Sequence, residues 1–190
     1  LSTGNIAAAK DVIDKMVKRM KGGLFPNMGD EKNPAFNSVD APMWFIWALQ
    51  QFEKYDNTDI WETYGKQIKT VLSAYKEGTS FNIRMLENGL IWAGEDGKAL
   101  TWMDAVTSNG PVTQRKGLNV EINALWYNAI VYALNLAEKK EDKKFIKEWK
   151  DLPELIKNSF VQTFWRQDKG YLADVVDGDV YDFAVRPNMV

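Results

Sequence analysis

The apolar residues recur at helical spacing in five long segments, and the links between those segments alternate in length. The first segment, about residues 5–21, carries Ile6, Val12, Ile13, Met16, Val17 and Met20. Ser2 and Thr3 offer caps before it, and Gly22-Gly23 ends it. The second, about 40–55, sets Ala41, Trp44, Phe45, Ala48, Leu49 and Phe52 on one stripe, with Pro42 in the first turn, where a missing N–H does no harm. The third, about 58–76, carries Ile60, Trp61, Tyr64, Ile68, Val71, Leu72 and Tyr75. The fourth, about 119–139, carries Ile122, Leu125, Trp126, Ala129, Ile130, Ala133, Leu134 and Ala137. The fifth, about 141–164, contains Pro153, which predicts a kink or split after Asp151.

The links after the first and third segments are long (24–39 and 77–118), and so is the tail, 165–190. The links after the second and fourth are tight turns. Helices joined by tight turns run antiparallel. The three long loops are therefore expected at one end of a helical layer, with only turns at the other. The expected fold is all-α: about five long antiparallel helices with long loops at one end, Phe81–Leu86 as a short strand, and an irregular or short-stranded tail. Loops on a rigid scaffold carry function, which assigns the site to the long-loop end.

Composition narrows the chemistry. With 24 basic and 26 acidic residues the net charge is −2, and no basic stripe points to nucleic acid or to a membrane surface. No apolar run approaches the length of a membrane span. Cysteine and histidine are both absent. That excludes disulfides, thiol nucleophiles, Ser-His-Asp chemistry and histidine-based zinc sites within this chain, and the lack of cysteine fits a cytoplasmic protein. No metal or cofactor is expected. Acid–base work would fall to carboxylates, lysines or tyrosines.

The tryptophans, 8 in 190 residues, are many, and the loops mix them with acids. Asn88–Ala105 holds Gly89, Gly94 and Gly97, Trp92 and Trp102, and Glu95, Asp96 and Asp104. Glycines let the backbone turn where side chains would clash. Indoles offer flat apolar faces with one N–H donor each. Sugars present apolar C–H faces and many hydroxyls, so aromatic-plus-acid loops suit carbohydrate. A structural loop whose tryptophans only pack is the plainer alternative.

Seven short words stand in order along the chain: Gly23-Leu24-Phe25-Pro26-Asn27, Asn37-Ser38-Val39-Asp40-Ala41, Trp92-Ala93-Gly94-Glu95, Thr101-Trp102-Met103-Asp104-Ala105, Pro111-Val112-Thr113, Val120-Glu121-Ile122-Asn123-Ala124-Leu125-Trp126-Tyr127-Asn128 and Arg186-Pro187-Asn188. Together they resemble the C-terminal amylo-α-1,6-glucosidase domain of glycogen debranching enzymes, in its bacterial and archaeal form. The resemblance implies an (α/α)₆ barrel, six helical hairpins in a ring around a central active-site funnel. It also implies that residues 1–190 are the central portion of one such domain, with a sugar-binding hairpin before them and further hairpins, including the catalytic base, after them. Gln114-Arg115-Lys116 departs slightly from the family pattern. The implied activity is inverting release of glucose from α-1,6 branch points of glycogen, limit dextrin or branched malto-oligosaccharides.

The resemblance places the family's general acid at Asp104. Inverting hydrolysis needs one protonated carboxyl at the glycosidic oxygen and a second carboxylate ~6.5–9.5 Å away to activate water. Trp92 and Trp102 are sugar platforms on this reading, with core packing as the alternative. Asp40 sits at a helix N-cap position that also points into the site. Glu121, where a helix dipole favours an acid, is a sugar ligand or a support for one, Glu95 is a further sugar ligand, and Arg186 and Asn188 shape the site wall, with completion of a turn as the alternative for Asn188. On this reading the chain alone lacks the sugar-binding hairpin and the base and is expected to be inactive, and half a barrel exposes apolar helix faces through which it is expected to self-associate. A non-catalytic glycan-binding or interaction module, and another barrel enzyme such as a glucoamylase-like hydrolase or sugar epimerase, are the competing readings.

Overall fold

The computed structural model describes residues 4–29 and 32–189. Its helices are α1 (Ile6–Arg19), α2 (Ala41–Phe52), α3 (Ile60–Glu77), α4 (Val120–Lys139), α5 (Lys143–Trp149) and α6 (Leu152–Phe164). The caps expected at Ser2 and Thr3 lie outside the described residues. Asn5 caps α1, its Oδ1 accepting from the Ala8 N–H at 3.0 Å. The fifth expected helix is split where Pro153 predicts: α5 ends at Trp149, and the proline sits in the first turn of α6. Asp59 and Asp142 cap α3 and α5 by accepting from the N–H groups three residues on.

Cross-helix contacts fix the directions. Gln50 meets Asn128 and Glu53 meets Tyr132, so α2 and α4 lie side by side and run the same way. Asp59 pairs with Lys140, Lys69 with Asp142 and Lys76 with Glu148, so α3 and α5 also run together. The turn-linked partners α2–α3 and α4–α5 are antiparallel, and so are α3 and α4, which pack through Tyr75 and Trp126. This corrects the expectation that all neighbours are antiparallel: the tight links set direction within a hairpin, and hairpins then stack in parallel. The hairpins are joined by buried aromatics. Trp126 of α4 stacks on Tyr75 of α3 at 6.0 Å and meets Trp149 of α5 edge-on at 6.1 Å, and Phe145 fills the space between Trp149 and Trp61.

The central loop and the tail are stranded, the tail as its short-stranded reading expects, and here the all-α expectation is corrected. These two segments form β1 (Arg84–Met85), β2 (Ile91–Ala93), β3 (Val106–Thr107), β4 (Gly110–Pro111), β5 (Gly117–Asn119), β6 (Trp165–Arg166), β7 (Tyr171–Leu172), β8 (Val175–Asp177) and β9 (Val180–Asp182). Five of these make one antiparallel sheet in the order β1-β2-β5-β8-β9, while β3-β4 and β6-β7 are separate hairpins. Backbone pressed against a core must pair its N–H and C=O groups, and this sheet pairs them. Asn123 of α4 extends the pairing from a helix: its side-chain amide accepts from Ile91 N at 2.6 Å and donates to Ile91 O at 3.1 Å. The strand expected at Phe81–Leu86 is reduced to Arg84–Met85, because Phe81 and Asn82 take positive φ in a tight turn that pairs with Gly94.

The sheet unites the central loop with the tail, because β5 pairs with β8. Gly117 makes that approach possible: its φ is +129°, and a Cβ there would stand 2.6 Å from the Val176 carbonyl oxygen. The first loop joins through Val39, whose N–H donates to Leu100 O at 2.8 Å. The three long loops thus meet, as the alternation of link lengths predicts.

Candidate functional site

Where the first and central loops meet, a groove of about 470 Å³ opens between α1 and α2. Val12, Ile13 and Met16 of α1 face Trp44, Phe45 and Ala48 of α2 along its length. Ser38, Asp40, Thr101, Trp102 and Asp104 line its loop end. Asp40 and Asp104, 64 positions apart in sequence, therefore share one cavity with the Trp102 indole. Trp102 is 52% exposed, and Asp104 is exposed as well.

Asp40 is held but does not cap its helix. The Ser38 hydroxyl donates to the Asp40 carboxylate and accepts from Ala41 N at 3.0 Å, so Ser38 serves the helix start and leaves Asp40 for the groove. The backbone before it is fixed twice over, by Val39 N–H to Leu100 O and by the Tyr75 hydroxyl donating to Val39 O at 2.7 Å. Burial raises the Tyr75 pKa, and the charge of Asp40 raises it further, so the hydroxyl stays a donor.

Behind Trp102 lies a network that includes the expected residues Glu121 and Arg186 but centres on two residues not singled out as site residues in the sequence, Asp174 and Arg115. Asp174, fully buried in the turn before β8, accepts from Arg115 Nε (3.1 Å) and Nη2 (3.2 Å), from Arg186 Nη1 (2.7 Å) and from Asn188 Nδ2 (2.7 Å). Arg115, also buried, pairs bidentately with Glu121 and donates to Thr101 Oγ1 at 3.2 Å. Asn188 turns its carbonyl oxygen to the Trp102 indole N–H at 2.8 Å. Burial lowers the Arg115 pKa, but Glu121 and Asp174 more than offset it, and the guanidinium stays charged. Two arginines and three acids, Asp182 included, are thus spread over the central loop, the start of α4 and the tail. One signal was present in the sequence: Asp174 sits in the apolar run Ala173-Asp174-Val175-Val176, and a buried acid needs cations.

The expected site residues therefore divide. Asp40, Trp102 and Asp104 come together on the groove. Glu121 and Arg186 stand behind it, committed to Arg115 and to Asp174 and Asp182. Trp92 lies in β2, its N–H on Asp177 at 3.0 Å and the Arg84 guanidinium 5.0 Å over its ring, in a separate cleft with Tyr181 and Gln162. Glu95 is exposed in the turn closed by Lys98 N–H to its carbonyl. A larger open depression, about 910 Å³, runs along α3, but its Lys69 and Lys140 are already paired with Asp142 and Asp59.

Two carboxylates and an indole thus share the loop end of a helical hairpin array. The family described as Amylo-alpha-1,6-glucosidase matches residues 1–190, and the chain belongs to that family. The glycogen debranching enzyme of Saccharomyces cerevisiae is 26% identical over 196 residues, an alignment that takes in 73% of this chain and 13% of the yeast protein. The chain thus corresponds to about an eighth of the curated relative it matches. Among the described residues, no helix is long and apolar enough to cross a membrane.

Proposed function

We propose that residues 1–190 are the central portion of an (α/α)₆ glucosidase barrel, and that the groove at Asp40, Trp102 and Asp104 binds glucose at an α-1,6 branch and hydrolyses it with inversion. The observation that carries this reading is the convergence of those three side chains, from two loops, on one cavity. Asp104 is the general acid that protonates the leaving oxygen. The Trp102 face stacks on the sugar ring, and Asp40, oriented by Ser38, accepts from its hydroxyls. Inversion requires a second carboxylate ~6.5–9.5 Å from the acid, and in this proposal another segment of the longer protein supplies it. Glu121 and Arg186 act behind the groove wall. The stacked hairpins α2–α3 and α4–α5, with parallel inner partners, are the repeat such a barrel is built from. The substrates are glycogen, limit dextrin and branched malto-oligosaccharides. A cytoplasmic setting belongs to the same proposal, supported by the absence of cysteine.

The test is glucose release from branched limit dextrin by the full-length protein, with the product anomer read by proton NMR before mutarotation. Release of β-glucose is the expected result. α-Glucose would overturn inversion, and binding of dextrin without release would favour a glycan-binding module.

A further inference from the structure

We infer that Asp174 is a positioning residue for the substrate platform, acting through Asn188 on the Trp102 indole and through Arg115 on Thr101; this rests on the reading of the groove as a glucan site.

A free tryptophan on an open loop has two side-chain torsions to lose when a sugar stacks on it. Trp102 has its N–H already anchored to Asn188 Oδ1 at 2.8 Å. Asn188 is itself fixed by donating to Asp174 at 2.7 Å, which also sets its amide so that the oxygen faces the indole. Asp174 is then over-determined. Its two oxygens receive four donors, two from Arg115, one from Arg186 and one from Asn188. Its own backbone is locked by Asp174 N–H to Asp182 O at 2.8 Å and Val120 N–H to Asp174 O at 3.1 Å. A carboxylate so enclosed presents no lone pair to the groove, so it neither binds sugar nor accepts a proton from water.

The same carboxylate reaches the platform loop by a second route. Arg115 bridges Asp174 to Thr101 Oγ1, and Thr101 is the residue before Trp102. One buried acid thereby fixes both the backbone and the side chain of the segment that carries Asp104. Preorganisation of this kind lowers the ordering cost of binding, and misplacement of a catalytic group by about 1 Å costs on the order of 10²-fold in rate.

The experiment is a double-mutant cycle in the full-length protein, read as kcat and KM on a branched oligosaccharide. Asn188→Ala cuts the link from Asp174 to the indole, together with the weak Asn188 Nδ2 contact to Met103 Sδ at 3.8 Å, and is expected to raise KM roughly 3- to 10-fold, with kcat nearly unchanged. Trp102→Phe removes the N–H and keeps an aromatic face, with a similar expected rise. The double variant should be no worse than the poorer single one, because both changes break one chain of contacts. Multiplicative losses would overturn the inference. Asp174→Asn, which keeps shape but removes the charge, is expected to lower kcat/KM on the order of 10²-fold. If that variant folds with unchanged kinetics, the inference is overturned; if it does not fold, the Asn188–Trp102 cycle decides alone. Should Trp102→Ala and Asp104→Asn both leave hydrolysis unchanged, the glucan reading falls and takes this inference with it, a result distinct from multiplicative losses in the cycle.

Discussion

The Tyr75 hydroxyl donates a 2.7 Å hydrogen bond to the Val39 carbonyl, and through it the last turn of α3 fixes the backbone one residue before Asp40. Both residues are fully buried. The ring of Tyr75 stacks on Trp126 of α4, so core packing, loop position and an acid of the groove are joined in one side chain.

Tyr75→Phe should separate those roles. The ring stays, but the buried Val39 carbonyl loses its hydroxyl partner. Leaving a buried acceptor unsatisfied costs about 1–3 kcal/mol, which for a domain of this size lowers Tm by a few degrees. If the bond also holds Asp40 in place, KM for a branched oligosaccharide should rise in the full-length protein while kcat changes little. Thermal melts and steady-state kinetics on one variant check both. An unchanged Tm would show that the hydroxyl carries no stability.

Much of this architecture is legible in the sequence, and the reason is physical. The stripes in α2, α3 and α4 are long enough for the 3.6-residue period to stand out, and Pro153 marks a break that the backbone cannot avoid. Alternating link lengths bring Asp40 and Asp104 to one groove. The sheet is not legible, because strands of two or three residues hold too few side chains to show a period of two. Asn123 conceals part of it, since its amide completes β2 from within a helix where a polar residue reads as surface. Trp92 and Trp102 look alike in sequence, as indoles in one glycine-rich loop, and ten residues of chain carry them to different clefts. The Asp174 hub shows in the sequence only as an acid within an apolar run; its partners cannot be read there, because Arg115 and Arg186 lie 59 and 12 positions away and the β5–β8 pairing brings Arg115 to it.

Stability should be flat near neutrality and fall on both sides. The Asp14 pKa is lowered by the hydrogen bond from Lys10 and then by Tyr64, and that of Asp142 by Lys69 and then by the Phe145 N–H. For acids with lowered folded pKa, the stabilisation is complete above the unfolded value of about 3.9 and is lost as pH falls below it. Lys10 and Lys140 have raised pKa values, chiefly from Asp14 and Asp59, so their contribution is complete below about 10.4 and is lost as pH rises past it. Unfolding midpoints should therefore hold level from about pH 5 to 9 and drop below about pH 4 and above about pH 10. Asp142→Asn should lower the plateau and make the acid limb shallower. A steeper acid limb in that variant would contradict the assignment.

Residues 1–190 alone should neither hydrolyse dextrin nor stay monomeric. Trp102 and Asp104 are exposed in an open groove, and water that is not excluded screens the electrostatics that hydrolysis needs. Val12, Trp44 and Trp47 are exposed on α1 and α2, and Leu155 and Val161 on α6. Apolar faces of this extent seldom remain open to water. Sedimentation velocity across a concentration series should show a rising weight-average mass, and polar substitution of Trp44 and Trp47 should reduce it. Monomer at all concentrations, or robust glucose release, would count against the placement of this chain within a larger barrel.

Asp104→Asn in the full-length protein is the sharpest probe of the chemistry. The amide is close in size and can hold most of the same hydrogen bonds, so oligosaccharide binding should survive. It cannot deliver a proton to the departing glycosidic oxygen. General acid assistance is worth ~10²–10⁴-fold, or about 3–5 kcal/mol of barrier, and kcat on the natural branch should fall by that factor. A glucosyl fluoride or activated aryl glucoside leaves without full protonation, so its rate should fall far less. The decisive quantity is therefore the ratio of the two losses. A large ratio assigns the proton to Asp104. Equal losses on both substrates would mean that the residue contributes position or field and not a proton, and the acid would then have to be sought elsewhere. Asp40, which lines the same groove, would be the first to examine, because Asp174 is enclosed and Glu121 is committed to Arg115.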